Sequence, residues 1–311
     1  MRAGNVTVAI PTYDRGPVLT DTVAALLRQT PAAGEIVVID QTAEHEPAVA
    51  RRLAGWEALG FIRWLRRERP SVPAAMNHAL VAARCPVVLF LDDDIIPAPG
   101  LIAAHAACYA DPKVWAVAGQ VLQPGESPSP ARPAPAREGI WKDLNFPFSG
   151  TEPCAVLNCM AGNLSVRRDR ALQAGGLDEN FVAVAYRFET EFCRRLAARG
   201  GKVWFAPEAS IRHLRAPRGG TRAYGDHLRT GRPEHSVGEY YFALRHGLGL
   251  ETLRFMAYRL YREVRTRHHL THPWWIPVKL LAELRGLVWA VRLAYRGPRR
   301  LAHASREEVT V

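Results

Sequence analysis

Three consecutive carboxylates, Asp92-Asp93-Asp94, follow the apolar run Val87-Val88-Leu89-Phe90-Leu91. Adjacent carboxylates repel one another unless a cation sits among them. Hard oxygen ligands select Mg2+ or Mn2+. A cation held by one or two carboxylates completes its shell with substrate phosphates and water. In an extended segment alternate side chains point the same way, so Asp92 and Asp94 are expected to share a face and Asp93 to point away. Two further carboxylates fall after strand-like runs, Asp14 after the first and Asp40 at the end of the second. A lone Asp there also serves as a helix cap or turn residue, and an Asp triplet also makes a solvated acidic turn. Both readings stand at this point.

The surrounding pattern says what must position these groups. Strand-like runs at 6–10, 35–40, 61–65, 87–91 and 114–118 alternate with helical spacing at 17–29, 47–59, 73–83 and 100–109. Near-continuous apolar strands separated by amphipathic helices predict an α/β fold, a mostly parallel Rossmann-like sheet with helices on both faces. In such sheets ligands bind at the carboxyl ends of the strands, where Asp14, Asp40 and Asp92–Asp94 fall. Residues 123–135 are Pro-rich and read as an irregular loop, either a lid or a surface insertion. Beyond it, short strands are expected at 156–157, 162–166, 203–205 and 210–211, and a helix at 189–198. Helices follow at 237–246, 250–267 and 276–295. In the last, Leu280, Leu284, Leu287, Val291 and Tyr295 share one face, with Lys279 and Glu283 off it.

The chain has 311 residues, 48% hydrophobic and 23% charged, which is globular composition. No apolar run is long enough to cross a membrane as a helix, and the N-terminus reads as having no signal peptide. Five cysteines without a CxxC pair read as reduced thiols, with neither a zinc site nor a disulfide framework. Residues 1–211 carry 22 charges of each sign, so the entire net charge of +11 falls in residues 212–311. A neutral first part and a basic last part imply two jobs in one chain. Neither a GxGxxG nor a GxxxxGK[ST] motif occurs, which excludes the dinucleotide and P-loop readings.

Taken in order, several segments resemble family 2 glycosyltransferases of the GT-A fold. They are Val8-Ala9-Ile10-Pro11-Thr12-Tyr13-Asp14-Arg15, Ile36-Val37-Val38-Ile39-Asp40, Phe90-Leu91-Asp92-Asp93-Asp94-Ile95-Ile96-Pro97, Ala161-Gly162-Asn163-Leu164-Ser165-Val166 and Gly175-Gly176-Leu177-Asp178-Glu179-Asn180-Phe181. The resemblance covers residues 5–215. It implies a catalytic unit over 1–215, with a nucleotide-sugar half at 1–120 and an acceptor half at 150–215, followed by a basic helical region at 216–311. The implied reaction is metal-dependent and inverting. It moves a sugar from a nucleoside diphosphate, UDP or dTDP favoured, to a hydroxyl of a glycan, glycolipid or secondary metabolite.

The resemblance also implies roles. Pro11, Thr12, Tyr13 and Asp14 would line the nucleoside, with Asn77, Asp92 and Asp93 also on the nucleotide. Asp40 would accept a hydrogen bond from a pyrimidine imide, as an acceptor-only carboxylate can. Asp92 and Asp94 would form the DxD pair and, with His213, hold Mn2+ or Mg2+. Gly162 and Asn163 would lie near the donor sugar and acceptor. Asp178 and Glu179 belong to a loop read as structural. The general base would come from Glu189, with Glu191 second; at that spacing the two do not share a helix face. The pattern departs from the family twice. Phe188 stands where a Glu is usual, and Met76 where an Arg is usual, so Arg67 or Arg69 would have to supply a donor cation.

The C-terminal region places Arg259, Arg262, Arg265, Arg285, Arg292 and Arg296 among Trp274, Trp275, Tyr258, Tyr261 and Tyr295. Basic amphipathic helices of this kind lie on membrane interfaces. The expectation is a cytoplasmic enzyme whose last third either meets the inner face of the cell membrane or packs its apolar faces on the protein. No nucleic-acid module appears. Two other functions fit parts of the sequence: a non-catalytic sugar-nucleotide-binding or assembly subunit, and a haloacid-dehalogenase-type phosphatase built on Asp92 and Asp94.

Overall fold

The computed structural model describes residues 1–130 and 138–302. Residues 131–135 of the expected Pro-rich loop lie outside the described residues. The strands are β1 (Val6–Thr12), β2 (Glu35–Asp40), β3 (Arg63–Arg66), β4 (Val87–Leu91), β5 (Ile95–Pro97), β6 (Val114–Leu122), β7 (Cys154–Ala155), β8 (Asn163–Arg167) and β9 (Lys202–His213). They form one sheet in the order β3-β2-β1-β4-β8-β6-β9-β5, with β7 on β9. The β1, β2, β3 and β4 pairings are parallel, and β8 inserts antiparallel between β4 and β6.

Strand alternation builds two cores. Ala9, Val37, Ile39, Val88 and Phe90 face one side. Val8, Ile10, Ile36, Val38, Val87 and Leu89 face the other. The second side is covered by α1 (Pro17–Leu27), α2 (Pro47–Ala58) and α4 (Leu101–Cys108) through Leu19, Val23, Leu53 and Leu101. The first is covered by α3 (Val72–Ala82), α5 (Arg168–Gln173) and α6 (Phe188–Ala198), with α7 (Val237–His246) joining the same cluster through Tyr240 and Tyr241. Fully burying such a side chain contributes roughly 1.5–3 kcal/mol, so the two-sided pattern fixes which strand residues point where.

Most expected strands and helices occur with shifted ends, but residues 156–157 form no strand and the short β7 precedes them. The strand expected at 61–65 starts at Arg63. Residues 203–205 and 210–211 belong to one strand, β9, whose register against β6 shifts between Gly119 and Gln120. Pro207 falls inside β9; it lacks the ladder N–H, which is why the sequence read as two pieces. The three-residue β5 is too short to carry a periodic signal. The helix expected over 250–267 ends as α8 (Leu250–Val264), and α9 (Arg267–Thr271) follows it before α10 (Ile276–Arg296).

The face of α10 toward the protein is largely the reverse of the apolar one. Lys279, Ala282, Glu283, Gly286 and Ala290 are buried, while Leu280, Leu284, Val291 and Tyr295 are exposed. Of the apolar stripe, Leu287 packs against the first core, while Leu280, Leu284, Val291 and Tyr295 stay exposed. Small residues explain part of this: a Cβ on Gly286 would come within 2.0 Å of Ser236 Oγ, so the helix approaches α7 closely only along this side.

Candidate active site

The site lies at the carboxyl end of β4. Asp92, Asp93 and Asp94 occupy the turn between β4 and β5, and β5 pairs with β9 so that Ile95 is opposite His213. This register carries His213 to the Asp cluster. Its Nε2 lies 3.2 Å from Asp94 Oδ1 and 3.8 Å from Asp92 Oδ2. One ligand atom from each of Asp92, Asp94 and His213 lies within 4.8 Å of the others. His213 Nδ1 is 3.1 Å from Gln123 Oε1, which orients the ring and leaves Nε2 for the cluster.

The site is electrostatically unfinished. Asp94 is fully buried; its Oδ2 accepts the Ala216 N–H at 2.7 Å, whereas Oδ1 has only the His213 Nε2 beside it and no well-aligned hydrogen bond. An orphaned buried carboxylate oxygen is costly, and a divalent cation between Asp92, Asp94 and His213 would satisfy it. Two carboxylates and an imidazole suit Mn2+ or Mg2+, the imidazole favouring Mn2+. Enclosure by the cleft walls, helped by the charges of Asp93 and Asp94 against those of His213 and Arg15, raises the Asp92 carboxyl to about 6. Burial opposes the His213 imidazolium, but its bond to Asp94 and both Asp charges outweigh that and raise its pKa. Asp94 moves the other way, because His213, Arg15 and the Ala216 N–H outweigh its own burial.

Asp93 does point away, as alternation requires. Its oxygens accept Thr12 Oγ1 at 2.6 Å and Arg15 Nε at 2.8 Å. Thr12 and Asp93 are thereby bound to each other. They fix the Pro11–Arg15 loop, leaving Pro11, Tyr13 and Asp14 at its rim. Arg15, quoted within a motif but given no role, proves central. Its Nη1 donates to Arg218 O at 2.7 Å, and a strap over residues 214–220 follows. Along it Leu214 N–H donates to Asp94 O and Gly220 N–H to Tyr13 O. Gly219, at φ +81°, has carbonyl oxygens of Asp14 and Tyr13 within 2.6 Å of where a Cβ would stand, so glycine is required there. Arg218 closes the strap on Asp14 at 2.6 Å and Glu46 at 3.4 Å.

Other expected ligand residues also hold internal bonds. Asn77 donates to Leu177 O and Glu179 Oε1 and accepts the Leu177 N–H, so it ties α3 to the Gly176–Glu179 loop. Asn163 is fully buried, with Nδ2 donating to Gln120 O and Ala209 O and Oδ1 facing His105 Nε2. Polar residues beside glycine turns gave no signal to separate such internal clamps from ligand contacts. Gly162 does adjoin the site: a Cβ there would lie 2.0 Å from Asp92 Oδ2. Asp40 is buried; its Oδ2 takes His45 Nε2 at 2.6 Å and Trp64 Nε1 at 2.8 Å, and Oδ1 takes the Thr42 N–H. Met76 is a core residue. Arg67 lies close enough to His78 of α3 to lower that imidazole's pKa after burial has done so, and the Arg67 Nε has no partner.

The two candidate bases separate clearly. Glu191 is held by Arg195 through two bonds of 2.9 and 2.7 Å and by Arg300 at 2.9 Å. Both of its oxygens are held by arginines, which leaves it less available than Glu189. Glu189, at the start of α6, keeps a buried and unpartnered Oε2. Burial raises its pKa to about 7; Asp92 adds to the rise, and its own backbone N–H and Arg187 oppose it. The charge of Asp92 therefore reaches Glu189. The loop before Glu189 is strained, with Ala183, Ala185 and Arg187 all at positive φ, a conformation non-glycine residues hold only when their surroundings impose it. Here α7 does so. A Cβ on Gly238 would lie 2.7 Å from Tyr186 O, and Glu239 pairs with Arg187 at 3.2 Å.

These features define a glycosyltransferase of the GT-A fold. The Glycosyl transferase family 2 model matches residues 7–172, more than half of the chain, and the protein belongs to that family. Among solved structures it is similar to the mannosyltransferase PcManGT from Pyrobaculum calidifontis in complex with GDP-Man and Mn2+. That match has a TM-score of 0.54 and 19% identity, over 94% of this chain and 79% of the other. It is also similar to GalNAc-T7 with UDP, GalNAc and Mn2+, with a TM-score of 0.57 and 17% identity over 81% of this chain and 53% of that one. The TarS 1-349 fragment of S. aureus gives a TM-score of 0.56 and 15% identity over 95% and 83%. A search of curated proteins finds no match.

Proposed function

We propose that this glycosyltransferase moves a sugar, with inversion, from a nucleoside diphosphate to an acceptor hydroxyl, using a divalent cation held by Asp92, Asp94 and His213. What supports the reading is that Asp94 Oδ1 and Glu189 Oε2 are both buried without a well-formed hydrogen bond, and that the charge of Asp92 reaches Glu189. The first suits a cation and the second a proton. The presence of Mn2+ in the PcManGT and GalNAc-T7 structures supports Mn2+ as the ion. When bound, the cation supplies charge compensation for the departing diphosphate.

Glu189 accepts the proton of the acceptor hydroxyl as that oxygen bonds to the anomeric carbon of the donor sugar. The bond from that carbon to the diphosphate breaks on the opposite side, so one displacement inverts the centre. A carboxyl held near 7 is matched to this task at neutral pH. Pro11, Tyr13 and the Arg218-latched strap enclose the nucleoside side, and Arg67 is the candidate donor cation in place of Met76. The resemblance favours UDP or dTDP. Asp40 supports it through Oδ1, which accepts only the Thr42 N–H, while GDP-Man in PcManGT keeps guanosine in the screen. The acceptor is a glycan, glycolipid or secondary metabolite; the C-terminal surface favours a lipid-linked one at the inner face of the cell membrane. Among the described residues no helix is long and apolar enough to cross a membrane.

The test is donor hydrolysis across UDP-, dTDP- and GDP-sugars with and without Mn2+. The reading expects turnover of at least one donor only with the metal. Turnover of none, or equal turnover after chelation, contradicts it.

A further inference from the structure

The C-terminal helices bury Phe255, Ala290 and Leu293 in the first core, and a charge network lies beside them. Their inward faces carry charge: Arg259 bonds Glu283 and Glu239, and Lys279 lies 2.8 Å from Glu263 and 3.2 Å from Glu283. Their outward faces are apolar. On α8, Leu250, Leu253, Leu260 and Tyr261 recur at helical spacing and are exposed; on α10, Leu280, Leu284, Val288, Val291 and Tyr295 do the same. Among the described residues, 14 of the 21 exposed large hydrophobic ones fall between Leu248 and Tyr295. That concentration separates this surface from the scattered apolar residues of an ordinary one.

Charge identifies the occupant. Residues 212–311 hold 19 basic and 8 acidic residues. Glu239 and Glu283 are buried in the inward network, which removes them from the surface. Arg254 and Arg265 on and beside α8, and Arg285, Arg292 and Arg296 on α10, are exposed on the flanks of the stripes. Trp274 is exposed just before α10, where an interfacial aromatic would sit at headgroup depth. An apolar stripe flanked by arginines is the form of a helix lying in an anionic lipid interface.

We propose that the outward stripes of α8 and α10 dock on an anionic lipid bilayer, with both helices in the plane of the interface.

Flotation of the full chain with vesicles of phosphatidylcholine alone, and of phosphatidylcholine with phosphatidylglycerol, tests the proposal. Association with the anionic vesicles is expected to exceed that with neutral ones by roughly tenfold or more and to fall with salt, since each basic residue adds to the attraction. Leu284→Glu/Val291→Glu and Arg292→Glu/Arg296→Glu should each lower it by about tenfold or more. Donor hydrolysis without vesicles should be unchanged in both pairs, which checks folding. Absent flotation of the wild type overturns the proposal. So does flotation insensitive to both pairs, or a concentration-dependent dimer that Leu284→Glu/Val291→Glu splits, because that assigns the surface to a second copy. A protein that floats but hydrolyses no donor loses the catalytic reading alone; one that hydrolyses but does not float loses the docking alone.

Discussion

Two regions of the molecule bury carboxylates beside cations, and they differ in what is left over. Around Arg259 the network closes on itself: Glu283, Glu239, Lys279 and Glu263 each find a partner. At the end of β4 the closure is incomplete: Asp94 Oδ1 has only the His213 imidazole beside it, and Glu189 Oε2 has no donor. The same contrast recurs within one turn of α6, where Glu191 is held by two arginines and Glu189 by none. Closed networks hold a fold together, while open ones keep a cost that a ligand or a proton removes. Burial and charge alone would have ranked the two regions equally.

That comparison can be broken most sharply at Glu189. Glu189→Gln should lower transfer by roughly a hundred- to ten-thousandfold, the range of a positioned base. It should also stabilise the fold. The native carboxyl is raised to about 7 from an ordinary 4.5, so its favourable contribution is present at low pH and is lost as pH rises through 7. At pH 8 the Gln variant should therefore be more stable by about 1–3 kcal/mol in urea unfolding. A destabilised Gln variant would put Glu189 in a closed network.

Arg259→Met should act in the opposite sense. Removing one partner of a buried pair costs about 3–5 kcal/mol, so urea unfolding should move to markedly lower concentration. Donor hydrolysis per folded molecule should stay within a few-fold of wild type. If the fold holds and hydrolysis collapses, the network is part of the catalytic machinery instead.

The pH profile sharpens the same point. The active form of Glu189 is ionised, so kcat/KM should fall about tenfold per unit below pH 7 and level off above it. A limb centred near 4 would show a solvated carboxylate. The smallest expected effect is at Gly162. A Cβ there meets Asp92 Oδ2, so Gly162→Ala should weaken the apparent Mn2+ affinity by about tenfold, or roughly 1.4 kcal/mol, and leave thermal unfolding nearly unchanged. Equal affinity would remove Asp92 from the cation site.

Much of this was legible in the residues. β2 and β4 were read at their observed ends because β-branched and apolar runs stop at Asp, and the alternation of Asp92, Asp93 and Asp94 held in space. What was not legible depends on contacts far along the chain. Asn77 and Glu179 are 102 residues apart and Arg300 and Glu191 are 109 apart; no local spacing says that these polar groups satisfy one another. The strap that latches Arg218 to Asp14 lies across 204 residues. The stripe on α10 was legible as a face, but the direction it points was not. That direction follows from the charges on the opposite side, which find partners only once α7 and α8 are in place.

The central claim is tested most directly by titrating UDP, dTDP and GDP calorimetrically into the wild type and Asp94→Asn, with and without Mn2+. The account predicts that Mn2+ tightens binding of at least one nucleotide in the wild type by about tenfold or more and has no such effect in Asp94→Asn. Equal affinity with and without the ion in the wild type, or an undiminished metal effect in the variant, would contradict it.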